Sequence, residues 1–200
     1  MKVIGITGGT GAGKTTALNV LREFGACVID CDEVYHELLE TNCDMQAELS
    51  NRFELDMFAG FDRKALGRKV FMDSEALSDL NAITHKYVLS EVSRRIELVR
   101  AEGKTAVAID AIMLNESGLG KICDITVAVT APPEIRAARI MARERIPYEY
   151  AMLRIKAQQS DDFFRENCDH VLVNDCTDVE EFEEQCRLYF SSILMEEKLK

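Results

Sequence analysis

Eight consecutive residues, Gly8-Gly9-Thr10-Gly11-Ala12-Gly13-Lys14-Thr15, match G-x-x-x-x-G-K-T, the arrangement that cradles a phosphate chain. Its glycines let successive backbone N–H groups converge without Cβ crowding, and a helix starting there adds the positive end of its dipole. Lys14 would reach the β- and γ-phosphates as a mobile charge, and the Thr15 hydroxyl would ligate the Mg²⁺ that bridges them. The flanks agree. Val3-Ile4-Gly5-Ile6 reads as a buried strand, and Ala17, Leu18, Val20, Leu21 and Phe24 recur at helical spacing. A nucleoside triphosphate site follows, and the open question is what receives the phosphate.

Carboxylates and guanidiniums supply candidates. Asp30 and Asp32 end the β-rich run Cys27-Val28-Ile29. Strand alternation puts both on one side at the carboxyl end, one strand from the phosphate loop. Either acid could orient or deprotonate an attacking hydroxyl, or simply cap a helix over Glu33 to Leu39; the loop upstream favours the functional reading. Asp110 closes the apolar run Thr105 to Ile109, where a partner of Mg²⁺-bound water would sit. Arg136, Arg139, Arg143, Arg145, Arg154 and Lys156 crowd residues 134–156 of an otherwise acidic chain. Arg139 and Arg143 share a helix face, with Arg136 one turn earlier, which suits a lid closing over phosphates.

The elements needed to position these groups alternate. Strands are expected at 3–6, 27–30, 105–110, 125–129 and 170–174, giving a five-stranded parallel sheet in a three-layer α/β/α fold. Residues 44–102 contain no convincing strand. Leu66, Val70 and Phe71 suit one short helix, Leu77, Leu80 and Ile83 another, and Val88, Val92, Ile96 and Val99 a long one. This helical insertion, longer than an ordinary crossover, is a candidate substrate lobe, and it contains His85, by itself more often a helix-surface residue than a ligand-binding one. Pro132-Pro133 should start a helix, and Val179, Phe182, Cys186, Tyr189 and Ile193 outline a terminal amphipathic one. The expected division is a core of 1–43, 103–132 and 157–200, a lobe of 44–102 and a lid of 133–156.

The 200 residues carry a net charge of −11, which argues against a nucleic-acid binder. The absence of an apolar run near membrane-spanning length or of a leader pattern argues for a cytoplasmic protein without membrane attachment. Seven cysteines form no C-x-x-C pair and read as reduced thiols.

The chain resembles the dephospho-CoA kinase family over nearly its full length. The resemblance is carried by Gly5 to Thr15, Val28 to Asp32, Leu80-Asn81-Ala82-Ile83-Thr84-His85, Asp110 with Leu114 to Leu119, the run Arg139, Arg143, Arg154-Ile155 and Gln158, and Asp169 to Asn174. It implies ATP-dependent phosphorylation of the 3′-hydroxyl of the dephospho-CoA ribose, the last step of coenzyme A synthesis. Asp32 would take the hydroxyl proton, while Lys14, Arg139 and Mg²⁺ stabilise the transferred group. ATP would be held by Gly8, Gly11, Ala12, Gly13, Lys14, Thr15, Thr16, Arg139 and Arg143, with Asn174 near the adenine. Dephospho-CoA would meet Asp32, His85 and Asp110 in a monomer or weak homo-oligomer. Lys86, Ile112, Asn115, Phe164 and Cys176 depart from the family pattern. The alternatives are a kinase for another nucleotide or small-molecule hydroxyl, or a nucleotide-binding module without catalysis; the lack of N-K-x-D argues against a GTPase.

Overall fold

Strand side chains alternate between two apolar layers, and this alternation builds the molecule. In the computed structural model, which describes residues 1–55, 61–70, 73–176 and 178–195, strands β1 (Lys2–Thr7), β2 (Cys27–Asp30), β3 (Ala106–Asp110), β4 (Ile125–Thr130) and β5 (His170–Val173) form one parallel sheet. Its order is β2-β3-β1-β4-β5. Ile4, Ile6, Ala106, Ala108, Val127 and Val129 face one layer, with α1 (Lys14–Glu23) and α9 (Val179–Met195) packed over them. Val3, Val107 and Ile109 face the other, covered by α2 (Cys31–Thr41), α3 (Cys43–Phe53), α4 (Arg63–Val70) and α5 (Ser74–Ala101). The expected five-stranded three-layer sheet is therefore present, with β1 central and β3 lying between it and β2.

The insertion is simpler than its apolar spacing suggests. The two helices expected over Leu77 to Val99 are one, because no glycine or proline interrupts residues 74–101. Asp73 caps its start by accepting from the Glu75 and Ala76 N–H groups. Leu77, expected inside, is exposed. Helix α3 was not foreseen; Asn42 caps it through the Met45 N–H (2.8 Å), and Met45, Leu49 and Phe53 bury its inner face. Phe71 lies outside the described residues.

Past β4 the chain forms α6 (Pro133–Glu144), α7 (Tyr148–Lys156) and α8 (Asp161–Asn167). Ala137, Ile140, Ala151 and Ile155 give the α6–α7 hairpin a small core of its own. In α9 the buried positions are Phe182, Cys186, Phe190 and Ile193; Val179 is exposed, and Tyr189 stacks on His170 with ring centroids 4.0 Å apart.

Candidate active site

The carboxyl ends of β1, β3 and β2 meet in register, Ile6 opposite Asp110 and Asp110 opposite Asp30. That edge carries the phosphate loop, Asp30 and Asp110. The phosphate loop leaves β1 there and enters α1 at Lys14. Gly8, Gly11 and Gly13 all have positive φ, and a Cβ on Gly13 would lie 2.3 Å from Asn174 Nδ2. Asn174 fills that space: its amide donates to the Ala12 carbonyl (2.8 Å), and its oxygen accepts from Arg139 (3.0 Å). Expected near an adenine, Asn174 is buried behind the loop with both ends of its amide engaged.

Lys14 Nζ lies 3.1 Å from Asp110 Oδ1. This is an ion pair rather than an aligned hydrogen bond, since Oδ1 is buried and accepts no aligned donor. Burial pushes the Asp110 carboxyl up from the usual carboxylate range; Lys14 opposes that shift, while Asp30 and Asp32 add to it. Thr15 is exposed at the first turn of α1, and Thr16 donates its N–H to the Gly13 carbonyl (3.0 Å).

The two acids after β2 separate. The strand ends at Asp30, and α2 starts at the next residue. Asp32 thus belongs to a helix, and the expected shared strand side for Asp30 and Asp32 does not exist. Asp30 is the cap: one of its oxygens accepts from the N–H groups of Asp32 (2.8 Å) and Glu33 (3.1 Å). Asp32 is exposed and lines a cavity of about 310 Å³ with Tyr35, Asn81, His85 and Ile112. Burial lowers the His85 pKa below that of a free imidazole, with Glu116 opposing, so the ring is neutral at pH 7.

A second cavity of about 360 Å³ holds Gly11, Gly13, Lys14 and Thr15 on one side and Arg139 and Arg143 on the other. Ile112 stands in the walls of both cavities, its carbonyl fixed by the Thr7 hydroxyl (3.0 Å). Arg139 donates to the Gly11 and Ala12 carbonyls at 3.3 and 3.4 Å and to the Cys176 carbonyl at 3.4 Å. Of the rest of the arginine row, Arg143 shares the wall of this second cavity with Arg139, whereas Arg136, Arg145 and Arg154 do not line it. Arg136 is buried beneath the loop; Arg143 and Arg154 pair with Glu144; Arg145 ends α6 in the left-handed region.

Residues that depart from the family pattern fall in different places. Lys86 turns away from the cavity to Glu48 on α3. Asn115 donates to Cys168 Sγ (3.5 Å), and Cys176 offers its carbonyl to Arg139. Phe164 and Ile112 line a third cavity with Glu116 and Gln158. The sequence marks Ile112 only as a departure from the family pattern; that three cavities meet at it depends on tertiary packing.

A triphosphate cradle and an acid-bearing cavity meeting at one wall define the class of phosphate-loop kinases that act on small molecules. Solved structures agree on the fold. A Thermus thermophilus protein matches with a TM-score of 0.76 at 30% identity, covering 98% of this chain and 97% of that one. The dephospho-CoA kinase from Campylobacter jejuni matches at 0.70 and 23%, covering 98% of this chain and 100% of that one. A family model described as dephospho-CoA kinase matches residues 2–180, and a dephospho-CoA kinase from Corynebacterium diphtheriae is 34% identical over 177 residues, 87% of this chain and 88% of that protein. The chain belongs to the dephospho-CoA kinase family.

Proposed function

We propose that Asp32, Lys14 and Arg139 run the family's reaction in this chain: transfer of the γ-phosphoryl group of ATP to the 3′-hydroxyl of the dephospho-CoA ribose. The observation that carries the assignment is the shared wall at Ile112. It brings a cavity with Asp32 and His85 against one with Lys14, Thr15, Arg139 and Arg143. The hydroxyl oxygen bonds to the γ-phosphorus as the bond to the β-bridging oxygen breaks, ADP leaves, and Asp32 takes the proton. Asp32 suits this role better than Asp30, one of whose oxygens is already committed to two backbone donors.

Lys14 exchanges Asp110 for the phosphate oxygens, and Arg139 exchanges its long carbonyl contacts for them. Contacts of 3.3–3.4 Å cost little to lose. The Thr15 hydroxyl and Asp110 would hold the Mg²⁺ that accompanies ATP and neutralises charge on the transferred group. Both are oxygen donors, and Asp110 Oδ1 is buried without an aligned hydrogen bond. His85 and the insertion of 44–102 would bind dephospho-CoA, with Asn174 keeping the loop in shape from behind. Residues 133–156 act as the lid. Among the described residues no helix is long and apolar enough to cross a membrane, and we assign a cytoplasmic monomer or weak homo-oligomer.

A coupled ADP-release assay offering dephospho-CoA, AMP and shikimate side by side tests the reading. ADP release with dephospho-CoA alone is expected; equal or faster release with AMP or shikimate would overturn it.

A further inference from the structure

Arg136 is a nearly buried cation with no carboxylate within ion-pair distance among the described residues. Its guanidinium instead turns under the phosphate loop. Nε donates to the Thr10 carbonyl (3.0 Å), and Nη2 donates to Gln158 Oε1. The same Gln158 oxygen accepts the Thr10 N–H (3.0 Å), and Gln158 Nε2 donates to the Thr10 hydroxyl (2.9 Å). All three polar groups of Thr10 are therefore held by two side chains from the α6–α7 region. The pair occupies space that only a glycine at position 9 leaves open, since a Cβ there would stand 2.1 Å from Arg136 Nη2 and 2.8 Å from Gln158 Oε1.

The consequence lies in which loop amides remain free. Thr10 spends its N–H on Gln158, and Ala12 spends its own on the Gly9 carbonyl (3.1 Å). Between and after them, the N–H groups of Gly11, Gly13, Lys14 and Thr15 donate to no acceptor among the described residues. The free Gly11 amide lies between two spent ones, and Gly13, Lys14 and Thr15 follow as a run of successive free N–H groups, the arrangement of a concave anion-binding backbone. We infer that Arg136 and Gln158 are positioning residues that lock Thr10 and thereby select which loop amides face the triphosphate. The unpaired guanidinium charge beneath the loop adds to the positive field there. Because both residues belong to the hairpin region that carries Arg139 and Arg143, the clamp also fixes the arginines relative to the loop they serve.

The inference deepens the proposed kinase reading and rests on it for the identity of the nucleotide. Its test does not need the acceptor. MgATP affinity is measured by calorimetry for the parent, Q158L, R136K, R136M and T10V, with dephospho-CoA affinity, steady-state kinetics and melting temperature alongside. Q158L keeps the bulk and removes both hydrogen-bonding ends. It should weaken MgATP binding and lower kcat by about tenfold or more each, because an ångström of misplacement costs up to about a hundredfold, with dephospho-CoA affinity within about twofold of the parent. R136M should behave like Q158L, and R136K, which retains a donor and the charge, should recover much of the loss. T10V deletes a single neutral hydrogen bond and should show a smaller change of the same kind. MgATP affinity and kcat within about twofold of the parent in folded Q158L and R136M would overturn the clamp. So would equal losses for MgATP and dephospho-CoA that track melting temperature, since that is a stability effect alone. If Q158L does not fold, R136M decides by the same two criteria. A parent that binds MgATP but leaves dephospho-CoA unphosphorylated would refute the kinase reading while the clamp is still measured.

Discussion

Asp30 and Asp32 are chemically alike and two residues apart, yet one caps a helix and the other faces a cavity. That separation predicts different behaviour on substitution. Asp32→Asn is nearly isosteric but cannot take up a proton, so kcat should fall by about a hundred to ten thousand times while MgATP and dephospho-CoA bind about as before. Asparagine caps a helix as well as aspartate does, so Asp30→Asn should leave turnover and stability close to the parent, whereas Asp30→Ala should cost about 1 kcal/mol of stability. Turnover and urea unfolding of the three variants check this. A slow Asp30→Asn beside a normal Asp32→Asn would exchange the two assignments. The sequence shows two acids after a strand but not the residue at which the strand becomes a helix. Without an intervening loop, period-two and period-3.6 readings diverge within two positions. The phosphate loop was legible because its geometry is local, whereas Asn174 and Arg136 act through contacts more than a hundred residues away along the chain.

Helices α2 and α5 form opposite walls of the Asp32 and His85 cavity, and one cluster of charges ties them together. Glu91 accepts from Arg94 and Arg95 on its own helix at 2.8 Å, and Arg95 reaches across to Glu37 on α2. Hydrogen bonds from Arg94 and then Arg95 hold the Glu91 carboxyl down at about 2 against an ordinary 4.5, with desolvation partly opposing. The folded state therefore binds fewer protons than the unfolded chain between these values. The stabilisation is fully present above about pH 4.5 and is lost as pH falls toward about 2. Glu91→Gln should be less stable than the parent at pH 7, and the difference should shrink steadily below about pH 4.5 in urea titrations across that range. A difference independent of pH would mean that the carboxylate charge contributes nothing to the brace. The bridge from Arg95 to Glu37 could not be read from the sequence, because it joins residues 58 apart along the chain through the crossing of two helices. The single long α5 was missed for a simpler reason. The apolar spacing changes from three over Leu77, Leu80 and Ile83 to four over Val88, Val92 and Ile96, and that change reads as a break where no breaker residue stands.

For the molecule as a whole, the succession of strands and helices was legible, but the order β2-β3-β1-β4-β5 was not, since hydrophobic runs do not say which strands are neighbours. That order brings Asp110 beside the loop and makes Lys14 its counter-ion before any nucleotide arrives. Among the described residues Lys14 is the one cation paired with this partly buried carboxylate, and on the proposed reading it leaves Asp110 when a triphosphate binds. MgATP at about a hundred times its Kd should stabilise the parent by about 2.7 kcal/mol. In a domain of this size that raises Tm by roughly 5–10 °C. Lys14→Ala removes both the phosphate contact and the counter-ion. Its free form should melt below the parent at pH 7, with the gap narrowing on acidification as Asp110 protonates. At the same MgATP concentration its Tm should rise much less, and its turnover should fall by at least about a hundredfold. Thermal unfolding at several pH values with and without MgATP, beside the ADP-release assay, measures all of these. A variant that gains as much from MgATP as the parent and turns over within a few-fold of it would remove Lys14 from the reaction. It would leave the ion pair with Asp110 as a purely structural contact.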